Sequence, residues 1–196
     1  MKKLTFLSVL VIMIVTLGGC RKGNVSIKTS GIEANTMLIK SDGIVQVATV
    51  EEFNESYYDM DELREYINDN LAKFNEEVGN ETAVVLDDLD KKRDKAIMVL
   101  EYQNLDYYAQ FNEVEAKQIT KLTAKELEEL PTTFESAQEE ESISKSDLAT
   151  LENINVVVLE EEYNLIVSEK IKYYANGTLN GAKEIHTFPE GTVVVY

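Results

Sequence analysis

Catalysis and metal binding draw on bases, thiols and carboxylates, and this sequence offers one histidine (His186), one cysteine (Cys20) and 36 acidic residues. A Ser-His-Asp or Cys-His device needs its histidine as a base beside a nucleophile. No Gly-x-Ser-x-Gly elbow occurs. His186 stands between Ile185 and Thr187 in a strand-like run, the setting of a half-exposed cross-strand residue rather than a catalytic base. Zinc sites built on several His or Cys ligands are excluded by count. Phosphate-cradling loops are excluded by pattern, since neither Gly-x-Gly-x-x-Gly nor Gly-x-x-x-x-Gly-Lys appears.

Hard cations need only oxygen ligands, and two acidic groups meet that need: Asp87, Asp88 and Asp90 with Asp94, and Asp59 and Asp61 with Glu62. Neither follows EF-hand spacing. Counting from Asp88, Arg93 falls where Gly is required and Val99 where Glu is required. Lys91, Lys92 and Arg93 also neutralise the first group. Their ordinary roles are a solvated charged turn and a helix cap. Paired carboxylates run glycoside hydrolysis as well, but 36 acidic residues make pairs by abundance alone, and there is no Trp on which to stack a sugar. Three tyrosine pairs remain: Tyr57-Tyr58, Tyr107-Tyr108 and Tyr173-Tyr174. Exposed, such pairs would line a groove for a peptide or glycan. The plainer expectation is that adjacent rings diverge, one into the core and one to its rim.

Lys2 and Lys3 precede an apolar run from Leu4 to Val15 that closes on Gly18 and Gly19. This run of about 12 to 14 residues falls short of the roughly 20 that a permanent span needs. It has the charged head and apolar middle of a signal peptide. The stretch Leu17-Gly18-Gly19-Cys20 resembles the lipobox of bacterial lipoproteins, over the first 20 residues of the chain. The resemblance implies that Leu17, Gly18 and Gly19 direct cleavage, that residues 1–19 are removed, and that the Cys20 thiol carries a diacylglyceryl lipid. No other cofactor is expected. At about 0.8 kcal/mol per buried CH₂, one acyl chain binds marginally and two anchor stably. The implied address is the extracytoplasmic face of the cell membrane.

Removing 19 residues from 196 leaves 177, and losing Lys2 and Lys3 takes 19 basic residues to 17 against 36 acidic, a formal net charge of −19. A chain so acidic is repelled by nucleic acid and by anionic surfaces, whereas cationic partners approach easily. With its one cysteine committed to lipid, the fold must rest on packing alone.

The elements follow from periodicity and punctuation. Residues 20–35 are polar and read as a lipidated cysteine and flexible tether, whose last fifteen residues reach at most roughly 50 Å. An α+β domain is expected over 36–130. It opens with a hairpin, Thr36 to Lys40 and Ile44 to Val50, around Asp42-Gly43 as a type I′ pair. A long helix follows, capped by Asp59 with Glu62 reaching back, with Leu63, Tyr66, Ile67, Asn70, Leu71 and Phe74 on one face and Gly79-Asn80 as its stop. Thr82 to Leu86 and Ala96 to Tyr102 read as paired strands joined by an eight-residue charged turn from Asp87 to Asp94. Shorter helices are expected near Leu105 to Asn112 and from Thr123 to Leu130. Residues 131–146, with Glu139-Glu140-Glu141, read as an acidic loop or boundary, and residues 147–196 as a β-rich C-terminal portion, either separate from the first domain or part of it.

The fold class predicted is therefore α+β: antiparallel hairpins packed with one long and one or two short helices, then a β-rich C-terminal portion. Tyr57-Tyr58-Asp59-Met60-Asp61-Glu62-Leu63 after a hairpin also resembles small acidic lipoproteins of low-GC Gram-positive bacteria. The function expected is a membrane-anchored, non-enzymatic binding or scaffolding module of the cell envelope, with an envelope protein, peptide or glycan as partner. The alternative is a carboxylate-dependent hydrolase or metal-assisted enzyme acting on envelope polymers.

Overall fold

The computed structural model describes residues 26–196, so the cleavage and lipidation expected at Leu17 to Cys20 lie outside the described residues. In chain order, a 3-10 turn (Thr29–Gly31) is followed by β1 (Thr36–Ile39), β2 (Val45–Glu52), α1 (Met60–Glu77), β3 (Val84–Lys92), β4 (Lys95–Tyr102), α2 (Leu105–Asn112), β5 (Ala116–Ile119) and α3 (Ala124–Glu129). Then come β6 (Thr133–Ser136), β7 (Ser142–Ser144), α4 (Lys145–Leu148), β8 (Val156–Leu159), β9 (Asn164–Val167), β10 (Tyr173–Ala175), β11 (Gly177–Gly181), β12 (Glu184–Thr187) and β13 (Thr192–Val195). Among the described residues, four α-helices and thirteen strands in two sheets make this the mixed α+β fold, with a β-rich C-terminal portion, that the sequence predicts.

One sheet has seven strands in the order β11-β12-β9-β1-β2-β4-β3, and the other six in the order β5-β8-β13-β10-β6-β7. The first sheet joins the two halves of the chain. β1 pairs with β9 in parallel, Met37 opposite Leu165, while β5 pairs antiparallel with β8 in the second sheet. The main core accordingly mixes Met37, Val47 and Leu71 with Leu165, Ile185 and Tyr196. The C-terminal portion shares the first domain's core.

Local chemistry explains the elements. Asp59 caps α1 by accepting from the amides of Asp61 (2.7 Å) and Glu62 (3.1 Å). At the far end Gly79 takes φ +67°, its N–H donating to Glu76 O while Asn80 N–H donates to Asn75 O, a Schellman closure. Thr123 and Glu126 form the reciprocal box expected at α3. On α1, Ile67, Leu71 and Asn75 form the buried stripe at four-residue steps. The amide of Asn75 donates to Glu81 O (3.1 Å) and Val84 O (2.9 Å) and accepts from Val84 N (3.0 Å), so it docks the helix on the edge strand β3.

Several expectations are corrected. The first hairpin turns on Ser41-Asp42, with Gly43 N–H donating to Lys40 O and only Gly43 at positive φ, so it is not a type I′ turn. The charged stretch after Leu86 continues as strand: β3 runs to Lys92 through a bulge at Leu86/Asp88 and turns at Arg93-Asp94. An edge strand tolerates that many charges because only one of its sides faces the core. Residues 131–146 hold the β6-β7 hairpin and the start of α4, and the loop between the two strands is confined to residues 137–141.

The second half of the tether is likewise structured. Ile27 and Thr29 are buried, and Ile27 and Ile32 cover Leu38, Ala48 and Val99 on the face of the seven-stranded sheet away from α1. The buried carboxamide of Gln46 accepts from Ile27 N (3.0 Å) and Ser26 Oγ (3.1 Å) and donates to Asp87 (3.0 Å) and Glu101 (3.1 Å). Asp88 accepts from Thr29 Oγ1 (2.9 Å) and Lys92 donates to Thr29 O. Residues 26–32 are thus a strap held by side chains from β1, β2, β3 and β4.

Candidate binding groove

Three large hydrophobic side chains stand exposed among the described residues: Tyr57 (73%), Tyr58 (42%) and Tyr66 (67%). All three line one groove of about 670 Å³. Its floor is the core-side face of the seven-stranded sheet, where Thr49 and Glu51 of β2 lie opposite Met98 and Ala96 of β4. One wall is the first two turns of α1, through Glu62, Leu63, Tyr66 and Ile67. The other is the β2-α1 connection. There Phe53 N–H donates to Asp94 O (2.6 Å), fixing a buried ring on which Tyr58 stacks at 4.8 Å and 27°. Tyr57 then meets Tyr58 edge-on at 5.0 Å. The two rings hold one another, and the preorganised wall keeps aromatic area in water, where it is available to a ligand.

The Tyr57 phenol beside it, with desolvation, holds the Tyr58 hydroxyl above the ordinary tyrosine range. That group stays a neutral donor throughout the neutral pH range. The Lys91 ammonium sits 5.0 Å from the Phe53 ring centroid, within cation-π range. Four carboxylates, Glu51, Glu52, Asp59 and Glu62, line the groove, and no basic residue does.

The other sequence candidates are placed elsewhere. Asp87 contacts Gln46 and Lys28 (3.7 Å), Asp88 holds Thr29, and Asp90 accepts from the Lys91 amide. The strap and the turn use these carboxylates, which do not converge. Asp59 is the α1 cap and Asp61 is exposed in the first helical turn. Among the described residues no group of three His, Cys, Asp or Glu is arranged to hold a metal. His186 is the half-exposed cross-strand residue expected, opposite Asn164, with Nδ1 3.3 Å from Asn164 Oδ1 and Nε2 3.3 Å from Glu162 Oε1. Neither ring nitrogen faces a nucleophile. No described Asp or Glu is buried, so no carboxylate pair sits in the low-dielectric setting that would separate its titrations for acid-base work.

The tyrosine pairs divide. Tyr108 is buried while Tyr107 packs edge-on against Phe74, the divergence expected of adjacent rings. Tyr173 and Tyr174 are both half-buried, and Tyr174 donates to Glu135 (2.8 Å). Only Tyr57-Tyr58 exposes both rings, and Tyr66, expected on the buried face of α1, joins them from the helix. A second groove of about 700 Å³ lies between the C-terminal half of α1 and β3, but its central polar group, Asn75, is spent on the backbone of Glu81 and Val84.

The chain matches no known family model, no curated protein and no solved structure. Among the described residues no helix is long and apolar enough to cross a membrane.

Proposed function

We propose that this chain is a lipid-anchored extracytoplasmic binding module of the cell envelope, non-enzymatic, engaging its partner through the tyrosine groove. The observation that carries the reading is the gathering of Tyr57, Tyr58 and Tyr66 around one groove. Aromatic side chains left in water at a concave site are what recognition surfaces use as anchors. The anchor rests on Leu17-Gly18-Gly19-Cys20. With the strap docked from Ser26 onward, five residues separate Cys20 from the folded body, a reach of at most roughly 20 Å. A carboxylate-dependent hydrolase would require a buried carboxylate in a cleft, and the Asp and Glu among the described residues all keep contact with solvent.

The test is photo-crosslinking in intact bacterial cells expressing the full chain, with a benzophenone amino acid replacing Tyr57, Tyr66 or, as control, the exposed Thr178 on β11. Discrete adducts are expected from positions 57 and 66 and none from 178, and Cys20→Ser should abolish them by releasing the chain from the membrane. Adducts of equal yield from position 178, or none from the groove, would remove the module reading.

A further inference from the structure

Accepting that the groove is the binding surface, we infer that its occupant is a cationic peptide segment: an apolar side chain enters between Leu63 and Met98 while flanking Lys or Arg residues pair with Glu51 and Glu62 and lie over Tyr57 and Tyr66.

The charged side chains that line the groove are all acidic, and two of them are uncommitted. Of the four lining carboxylates, Asp59 is held as the α1 cap and Glu52 lies 3.8 Å from Lys95. Glu51 and Glu62 are exposed and form no ion pair among the described residues. Both line the groove, Glu51 from the floor strand β2 and Glu62 from the first turn of α1. A ligand that filled the floor without bringing positive charge would desolvate both carboxylates uncompensated. Lys91 over Phe53 is an independent observation: at one end of this groove the protein already places an ammonium on an aromatic face. Tyr57 and Tyr66, more exposed, offer the same kind of face, with no cation on either among the described residues.

The volume, about 670 Å³, falls within the roughly 300–1,000 Å³ of sites that bury most of a ligand of drug size, which suits a few residues of peptide. The whole-chain charge decides among other occupants. At a formal −17, a second copy of the chain, an anionic glycan, nucleic acid or an anionic membrane surface meets like charge.

The experiment is fluorescence anisotropy with the full chain in detergent micelles and a labelled, amidated hexapeptide of alternating Arg and Leu. An alternating Glu and Leu hexapeptide and a neutral N-acetylglucosamine oligomer serve as comparison probes. Glu51→Gln with Glu62→Gln should weaken Arg-Leu binding about tenfold, and Tyr57→Ala with Tyr66→Ala by about as much, the loss expected when a central anchor is removed. Glu139→Gln with Glu140→Gln, an equal charge change at an exposed distant turn, should weaken it less than about twofold. A distant pair that costs as much as the groove pair reduces the effect to diffuse attraction and overturns the inference. So does tighter binding of the acidic peptide or of the sugar, or no Arg-Leu binding at millimolar concentration. Groove crosslinks persisting in cells while the Arg-Leu probe fails to bind would leave the module reading standing and remove the cationic class alone.

Discussion

Tyrosine plays opposite roles at two places in this molecule, and burial separates them. Around the groove the rings are in water. In the core Tyr102 and Tyr108 are almost fully enclosed, edge-on at 5.4 Å, with Asn112 donating to the Tyr102 hydroxyl and Tyr108 donating to Tyr163. Desolvation pushes the phenols of Tyr102, Tyr108 and Tyr163 upward, and that of Tyr196 up to about 12. Each folded value lies above the unfolded one, so the stability these groups contribute is complete below the ordinary tyrosine value of 10.0 and is lost as pH rises from there toward the folded value. Urea midpoints should hold steady from pH 8 to 9 and fall between pH 10 and 12, less steeply in Tyr196→Phe, which removes one of the linked protons. A midpoint flat to pH 12, or a slope unchanged by that substitution, would contradict this account. The sequence does not separate the two kinds of tyrosine, because a Tyr-Tyr dipeptide before a helix and one inside a helix read alike. What distinguishes Tyr57-Tyr58 is Phe53, pinned by a backbone bond to Asp94 forty-one residues away, and no local pattern carries such a bond.

At the scale of elements, periodicity made most of the fold legible. α1 with its Asp59 cap and Gly79 stop, the box at Thr123-Glu126 and the strand pairs of the first half all follow from spacing and punctuation. The strap did not follow, because Ser26 to Ile32 is polar, short and without period. Its order comes from Gln46, Asp87 and Asp88, residues that in sequence look like an ordinary strand polar position and a calcium-ligand cluster. The same contacts give two of those carboxylates a structural task, since Asp87 and Asp88 hold the strap directly or through Gln46. Gln46→Leu would leave the amide of Ile27 and the carboxylates of Asp87 and Glu101 without their buried partner. The expected loss is about 1–3 kcal/mol in urea unfolding, accompanied by faster hydrogen exchange at Ile27 and Thr29 than at Met37. Unchanged exchange at Ile27 would mean that apolar cover, and not the carboxamide, holds the strap.

For the whole molecule, the question left open by the sequence was whether the residues beyond the acidic stretch form a body of their own. Strand signals identify strands without naming their partners. In the structure β9 inserts beside β1, carrying β12 and β11 onto the same sheet, and Tyr196 reaches the core formed around Met37 and Leu71. Without β9 the first half therefore leaves β1 as an open sheet edge, and the last fifty residues would leave Leu165, Ile185 and Val194 in water if they stood alone. Large apolar surfaces that cover one another unfold together. The chain is then cut most harmlessly at the exposed turn between β6 and β7. A sequence-specific protease site inserted between Glu139 and Glu140, once cleaved, should yield two fragments that co-elute under native conditions and unfold in a single urea transition. Fragments that part without denaturant, or two transitions with separate midpoints, would mean that the parallel β1-β9 pairing contributes little. The tyrosine groove, built entirely from the first half on a sheet completed by the second, would in that event survive in the N-terminal fragment alone.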